Sequence, residues 1–332
     1  MLIWIAFFVC TSVIVFSGTR LARYGDIIAE KTGLGRAWIG LVLMASVTSL
    51  PELVTGVSSV TFAGVPDIAV GDILGSCVFN MLILALLDSA HRPQPLSAKA
   101  HHGHVLSAGF GILLLGIVTA NLLLRNRIPS LGWIGLYTPL VIGIYLIAMR
   151  LVYFYEKRQI TEFIKEMAVE LRYEKISLKA AITHYSIHAV VVVIAAIFLP
   201  GLGEAIAEAT GLGETFVGNI FIAVSTSLPE VVVSIAAVKM GAINLAVGNL
   251  FGSNIFNIFI LGIDDLFFIK GPLLATVNQN HAVSGLSAIA MTAIAIIGLT
   301  YRSEKKKLFL AWDSIGIVLI FVINLILLYM LK

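Results

Sequence analysis

Apolar runs long enough to cross a hydrocarbon layer recur from one end of this chain to the other, and that leaves few folds open. A bilayer core of about 30 Å takes about 20 helical residues. Ten runs of that kind are legible, over residues 2–19, 37–63, 67–88, 104–124, 131–154, 181–200, 214–238, 242–264, 281–300 and 309–330. With 59% hydrophobic residues, 12% charged ones and a mean hydropathy of +0.99 over 332 residues, a water-soluble domain is excluded. The runs are continuous and lack two-residue alternation, so the spans are helices and not barrel strands. The predicted class is an all-α membrane protein of ten transmembrane helices. Met1-Leu2-Ile3-Trp4 offers no basic leader region, so residues 2–19 read as a retained helix. Cys10 and Cys77 both fall inside predicted spans and suggest neither a disulfide framework nor a thiol metal site.

Orientation follows from Lys and Arg. Connections after odd-numbered helices carry Arg20, Arg23, Lys31 and Arg36, then Arg92 and Lys99, then the basic residues between Lys157 and Lys179, and finally Arg302 with Lys305 to Lys307. These are predicted to face the cytoplasm. The opposite connections carry only Arg125, Arg127 and Lys270, so both termini are expected outside, in a cell membrane. The net charge of +3 is a topology signal spread over loops, with no nucleic-acid groove in it.

The chain also repeats itself. Residues 26–52, ending in TSLPE, align without gaps on 204–230 at a constant offset of 178, with about half the positions identical. After a one-residue slip, GDILGSCVFN at 71–80 faces GNLFGSNIFN at 248–257. Five helices precede the second copy, and an odd number turns it upside down. The expected organisation is two inverted five-helix repeats, 1–154 and 181–332, joined by an amphipathic cytoplasmic helix in 155–180. In that stretch Ile160, Phe163, Ile164, Met167 and Leu171 fall at helical spacing. Inverted repeats are a transporter architecture with a substrate site near the midplane.

TSLPE puts a proline inside an apolar helix, where it removes a donor and crowds the carbonyl about one turn back. Carbonyls near Ala45 and Ala223 are therefore expected to be free for cations. Thr48, Ser49 and Glu52 add hydroxyl and carboxylate oxygens within about a turn, and Thr226, Ser227 and Glu230 repeat the set. Such hard ligands suit calcium, sodium or protons. An intramembrane carboxylate costs roughly 2.5–3.5 kcal/mol on insertion scales, so it should face the interior and find a partner. Ser76 and Asn80, and Ser253 and Asn257, are each four apart and share a helix face. Gly71 with Gly75, and Gly248 with Gly252, supply small faces for close helix approach. Asp72 stands where the other copy has Asn249; it either lines the ion path or meets water near its helix end.

TSLPE followed by GS-x-x-(F/I)-N, twice and in opposite orientations, resembles the sodium/calcium exchanger family of calcium:cation antiporters, in its prokaryotic form. The resemblance implies that Thr48, Ser49, Glu52, Ser76 and Asn80, with Thr226, Ser227, Glu230, Ser253 and Asn257, line adjacent cation sites, and that Ala45 and Ala223 lend carbonyls. It implies a secondary antiporter exchanging Ca²⁺ for Na⁺ by alternating access, with no enzymatic activity, no cofactor beyond the transported ions and no obligate protein partner. Proton-coupled exchange of Ca²⁺ or another divalent cation is the alternative, and a channel the weaker one. This chain departs from the pattern at Asn257, where family members often carry Asp, and at Val47 and Ser225, where Gly is common. His184 and His188 read as structural, and His101, His102 and His104 as a solvated loop. Trp4, Trp38, Trp133 and Trp312 read as interface anchors.

Overall fold

The computed structural model describes residues 2–32, 48–90, 94–127, 129–164, 176–239, 243–303, 306 and 310–331. Within them the chain is helical, apart from a two-residue antiparallel ladder pairing Ser130–Leu131 with Ile134–Gly135. Eight described helices are long and apolar enough to span a membrane, and Glu214–Thr226 with Leu228–Lys239, bent by 45°, makes a ninth if the pair is taken as one span. Of the 37–63 run, residues 37–47 lie outside the described residues. The remainder forms the Leu50–Ser58 helix, continued by a π-helical turn over Ser59–Ala63.

Two helices form the centre. Pro66–Ala90 and Ile243–Phe267 each have 83% of their most apolar window buried, against 22% for the first helix. Around them, Leu2, Phe8 and Phe16 on the first helix, Ile194 and Phe198 on Leu178–Thr210, and Leu319 and Ile326 on Trp312–Met330 are exposed. Apolar surface of that kind is stable only against lipid.

Glycine decides how closely the centre packs. A Cβ on Gly71 would meet the Gly218 Cα at 3.0 Å, and one on Gly75 would meet the Ala223 Cβ at 2.7 Å and collide with the Asn219 carbonyl oxygen. The 66–90 helix therefore rests directly on the backbone of the π-helical segment Gly218–Ile222. This is the close approach that the small-residue face predicts.

At both ends the same bonds recur 177 residues apart. Asp88 Oδ1 accepts the Leu96 N–H at 2.7 Å and its Oδ2 the Ala311 N–H at 2.9 Å. Asp265 Oδ1 accepts the Leu273 N–H at 2.7 Å and its Oδ2 the Gly135 N–H at 3.0 Å. Each acid thereby anchors the short helix that follows it, Leu96–Lys99 or Leu273–Thr276. Likewise Asn244 Oδ1 accepts the His101 N–H at 2.7 Å and meets His104 Nε2 at 3.3 Å, while Asp67 Oδ1 accepts the Asn278 N–H at 2.7 Å and meets His281 Nε2 at 2.9 Å.

Three sequence expectations change here. The first helix runs over Leu2–Thr32 and does not stop at residue 19; beyond that point Tyr24 stacks on His184 and His188 of Leu178–Thr210. His104 is not in a solvated loop. It is 5% exposed in the first turn of Gly103–Leu124, held by Asn244. Ile160, Phe163 and Ile164 belong to the end of Tyr137–Ile164, which carries the membrane helix onward, while Met167 and Leu171 lie outside the described residues. His184 and His188 stack on Tyr24 with ring centroids 4.9 and 6.0 Å apart, a packing role for both. Trp133 and Trp312 lie exposed near helix ends; Trp4 packs on Phe7 and Phe221, and Trp38 falls outside the described residues.

Candidate functional site

Both TSLPE motifs break their helix at serine. Ser49 sits at φ −87° and ψ 15°, Ser227 at φ −87° and ψ 4°, the sparsely populated bridge between helix and strand. A new helix starts at the next residue in each case, with Pro51 or Pro229 in its first turn, where a missing N–H costs nothing. The result is a helix start aimed into the protein centre, with Glu52 and Glu230 in that turn, both fully buried.

The carboxylates are then held crosswise. Ser49 Oγ donates to Glu230 Oε1 at 3.1 Å, and Ser227 Oγ donates to Glu52 Oε1 at 3.0 Å. Ser227 also lies 2.8 Å from Ser76 Oγ, Ser253 Oγ donates to Glu230 at 3.4 Å, and Thr48 bonds Glu230. Thr226 Oγ1 donates to Asp72 Oδ1 at 2.7 Å. Asp72 is fully buried, which removes the water-facing reading of that residue and sets it beside a motif threonine. The charges of Glu230 and Asp72 both act on Glu52.

In this arrangement half of each carboxylate is unused. Glu52 Oε2, Glu230 Oε2 and Asp72 Oδ2 are buried and have no hydrogen-bond partner. An unpaired buried carboxylate oxygen costs free energy unless a cation or proton meets it. Among the described residues no group of three or more His, Cys, Asp or Glu side chains converges as a conventional metal cluster. A cation held here would therefore take a mixed set of carboxylate, hydroxyl and amide oxygens, hard ligands throughout.

The remaining predicted residues distribute as follows. Asn80 Nδ2 donates to Asn254 Oδ1 at 2.9 Å, and Asn254 in turn donates to the Cys77 carbonyl at 3.3 Å. Asn257 is fully buried on the same helix as Ser253. The Ala223 carbonyl is not freed as expected. It accepts the Ser227 N–H at 3.1 Å, and the Ser76 hydroxyl approaches it at 3.5 Å. It thus borders the cluster with its acceptor capacity partly used. Ala45 lies outside the described residues. Sequence reasoning missed Asn254; the signal was present, since the second copy reads GSN where the first reads GSC.

A protein-family model described as "Sodium/calcium exchanger protein" matches residues 2–155 and 180–330. The inner membrane protein YrbG of Escherichia coli is 28% identical over 249 residues, 75% of this chain and 74% of that one. The sodium/calcium exchanger MaX1 of Methanosarcina acetivorans is 25% identical, with 91% of each chain covered. Among solved structures, native YfkE superposes with a TM-score of 0.67 at 18% identity, covering 98% of this chain and 91% of that one. The sodium-calcium exchanger NCX_Mj gives a TM-score of 0.62 at 21% identity, covering 97% of each. These superpositions establish the shared fold, and the family model accounts for nearly the whole chain on either side of the 156–179 connection. The chain belongs to the sodium/calcium exchanger protein family, and is a multi-pass membrane cation antiporter and not an enzyme.

Proposed function

We propose that this protein exchanges Ca²⁺ for Na⁺ across the cell membrane by alternating access, with the ions bound between Glu52 and Glu230. The ligands in this reading are those two carboxylates with Thr48, Ser49, Ser76, Asn80, Thr226, Ser227, Ser253 and Asn257, together with the Ala45 carbonyl, while the Ala223 carbonyl, already bonded, borders the set. Asp72 joins them as a third acid. The observation that carries the reading is the crosswise bond pair, Ser49 to Glu230 and Ser227 to Glu52, which leaves one oxygen of each glutamate open in the buried centre.

Charge balance supplies the mechanism. With Asp72 protonated, Glu52 and Glu230 carry a formal −2, which one Ca²⁺ neutralises, and so do two Na⁺. Occupancy by one excludes the other, which is antiport. A buried dianion with no cation is too costly to slide past an apolar barrier, so the empty carrier stays put and leak is suppressed. The conformational step is a movement of one inverted five-helix repeat against the other in a ten-helix architecture, with 1–154 and 181–332 as the units and 155–180 as the cytoplasmic link. The bonds recurring at 177 residues support that organisation. Both termini then lie outside, and the end of the molecule holding Asp67 and Asp265 faces outward.

Proton coupling is the second reading. Asn80 and Asn257 contribute amides and no further charge, and carboxylates that bind either Ca²⁺ or protons would be sufficient chemistry. The test is radioactive calcium uptake into proteoliposomes loaded with Na⁺, repeated with an outward proton gradient and no Na⁺. Uptake driven by Na⁺ is expected. Uptake driven only by protons moves the coupling ion, and no uptake under either gradient overturns the assignment of calcium.

A further inference from the structure

A second acid lies beyond the paired glutamates, and it has no partner. Asp264, near the end of Ile243–Phe267, is fully buried, and neither of its carboxylate oxygens has a hydrogen-bond partner. Its carboxylate occupies the space over Gly56, where an added Cβ would collide with Asp264 Oδ2 and Oδ1 and reach its Cγ at 2.8 Å. Thr55, next to Gly56, brings another fully buried oxygen with no hydrogen-bond partner. Glu52 stands one turn back on the same helix as Gly56.

The arrangement is a departure from the repeat. The residue 178 positions after Gly56 is Ser234, whose hydroxyl receives a hydrogen bond from Asn249 at 3.3 Å, and the residue 177 positions before Asp264 is Leu87. One half thus carries a serine on the motif helix and a leucine at the equivalent position of the central helix; the other carries a glycine and an acid. The charged groups that act on Asp264 among the described residues are both acidic, Asp72 on Pro66–Ala90 and Asp265 beside it, and the nearest acid on the helix of Gly56 is Glu52, one turn back. The neighbouring Asp265 faces Tyr137–Ile164 instead, where the uncharged Thr138 bonds it.

We propose that Asp264, with Thr55, is a further cation subsite, one turn beyond Glu52, that takes a monovalent counter-ion as Na⁺ or as a proton. Buried, without a donor and surrounded by like charge, this carboxylate is stable only when such a cation neutralises it. One carboxylate balances a single positive charge, so a monovalent cation leaves the buried subsite neutral whereas a divalent ion would leave it charged. The subsite deepens the proposed exchange and rests on it in one respect only, that the counter-ion it holds is the one exchanged.

Two measurements on the purified full-length protein and its Asp264→Asn variant test this. Infrared difference spectra, taken on adding Na⁺ at fixed pH and on changing pH without Na⁺, should show a buried carboxyl band that Asp264→Asn removes. A response to Na⁺ assigns sodium, a response to pH alone assigns the proton, and no band assignable to Asp264 overturns the subsite. In proteoliposomes the same variant should raise the half-saturating counter-ion concentration about tenfold and leave that for Ca²⁺ within about twofold. Unchanged counter-ion dependence overturns the proposal. Should Asp264→Asn fail to fold, the pair Gly56→Ser with Asp264→Leu, which copies the opposite half, provides the folded comparison and carries the same expectation. If the wild type moves no calcium while the carboxyl band still responds, the exchange reading falls and the subsite stands. If exchange proceeds and the band is silent, the subsite alone falls.

Discussion

Asp265 and Glu52 are both fully buried acids inside the membrane region, yet their surroundings are opposite in kind. Asp265 accepts four hydrogen bonds, from Tyr137 Oη at 2.6 Å, Thr138 Oγ1 at 2.5 Å, and the N–H groups of Gly135 and Leu273 at 3.0 and 2.7 Å. Its lone pairs are spent, and the carboxylate fastens the loop after its helix. Asp88 does the same at the other end, with the Lys306 ammonium added at 2.9 Å from its Oδ1. Glu52 and Glu230 have one oxygen bonded and one open. A structural acid is saturated by donors fixed in the fold, whereas an acid that must bind and release a cation keeps capacity in reserve. Burial alone does not tell them apart; the donor census does.

That distinction is open to breakage. The largest effect is expected for Asp265→Ala, which orphans four donors and should destabilise the protein by about 3–5 kcal/mol. The check is the midpoint of thermal unfolding in detergent, and a midpoint matching the wild type would show that the anchoring bonds contribute little. Glu52→Gln should behave in the opposite manner. Calcium exchange is expected to fall about 100-fold, close to 2.7 kcal/mol, while the unfolding midpoint stays level or rises because a buried charge has gone. A collapse of the fold in Glu52→Gln would erase the contrast. Between packing and chemistry lies Gly75→Ala, whose Cβ would press on the Asn219 carbonyl oxygen and the Ala223 Cβ. A cost of about 1–3 kcal/mol is expected, read as a lowered midpoint with reduced exchange, since the two helices can no longer touch. The smallest effect belongs to Thr226→Val, which removes the hydroxyl on Asp72 and should change the half-saturating counter-ion concentration about threefold to tenfold, equivalent to about 1 kcal/mol. An unchanged value would separate Asp72 from the ion path.

Much of this organisation was legible in the sequence, because lipid imposes apolar length and because the chain states its motif twice. The runs located the eight described spans, and TSLPE with its partner motif located Glu52, Glu230 and their hydroxyls. Hydropathy reports the thickness of the membrane and not the length of a helix, which is why residues 20–32 look like a connection in the sequence. The anchoring acids were missed for a different reason. The repeat runs on past Asn80 and Asn257, with Asp88 and Asp265, Pro95 and Pro272, and His104 and His281 at the same 177-residue spacing, but without the uninterrupted identity that marks the motifs. Asp264 carried no repeat signal, since Leu87 is its counterpart, and it becomes visible only where Gly56 yields space to it. Crosswise bonding was likewise unreadable, for periodicity places a residue on a face without saying which distant hydroxyl meets it.

The bond from Ser227 to Glu52 spans 175 residues of chain. At about 5–20 residues per second, a ribosome takes on the order of 10–35 s to make that stretch. Throughout that interval Glu52 resides in a nascent chain whose matching hydroxyl does not yet exist. The early half must therefore be tolerated by the insertion machinery with its acid incomplete, neutralised by a proton or kept near water. Only the arrival of the second TSLPE motif makes the site whole, so the last-made half sets the moment at which the first can finish folding.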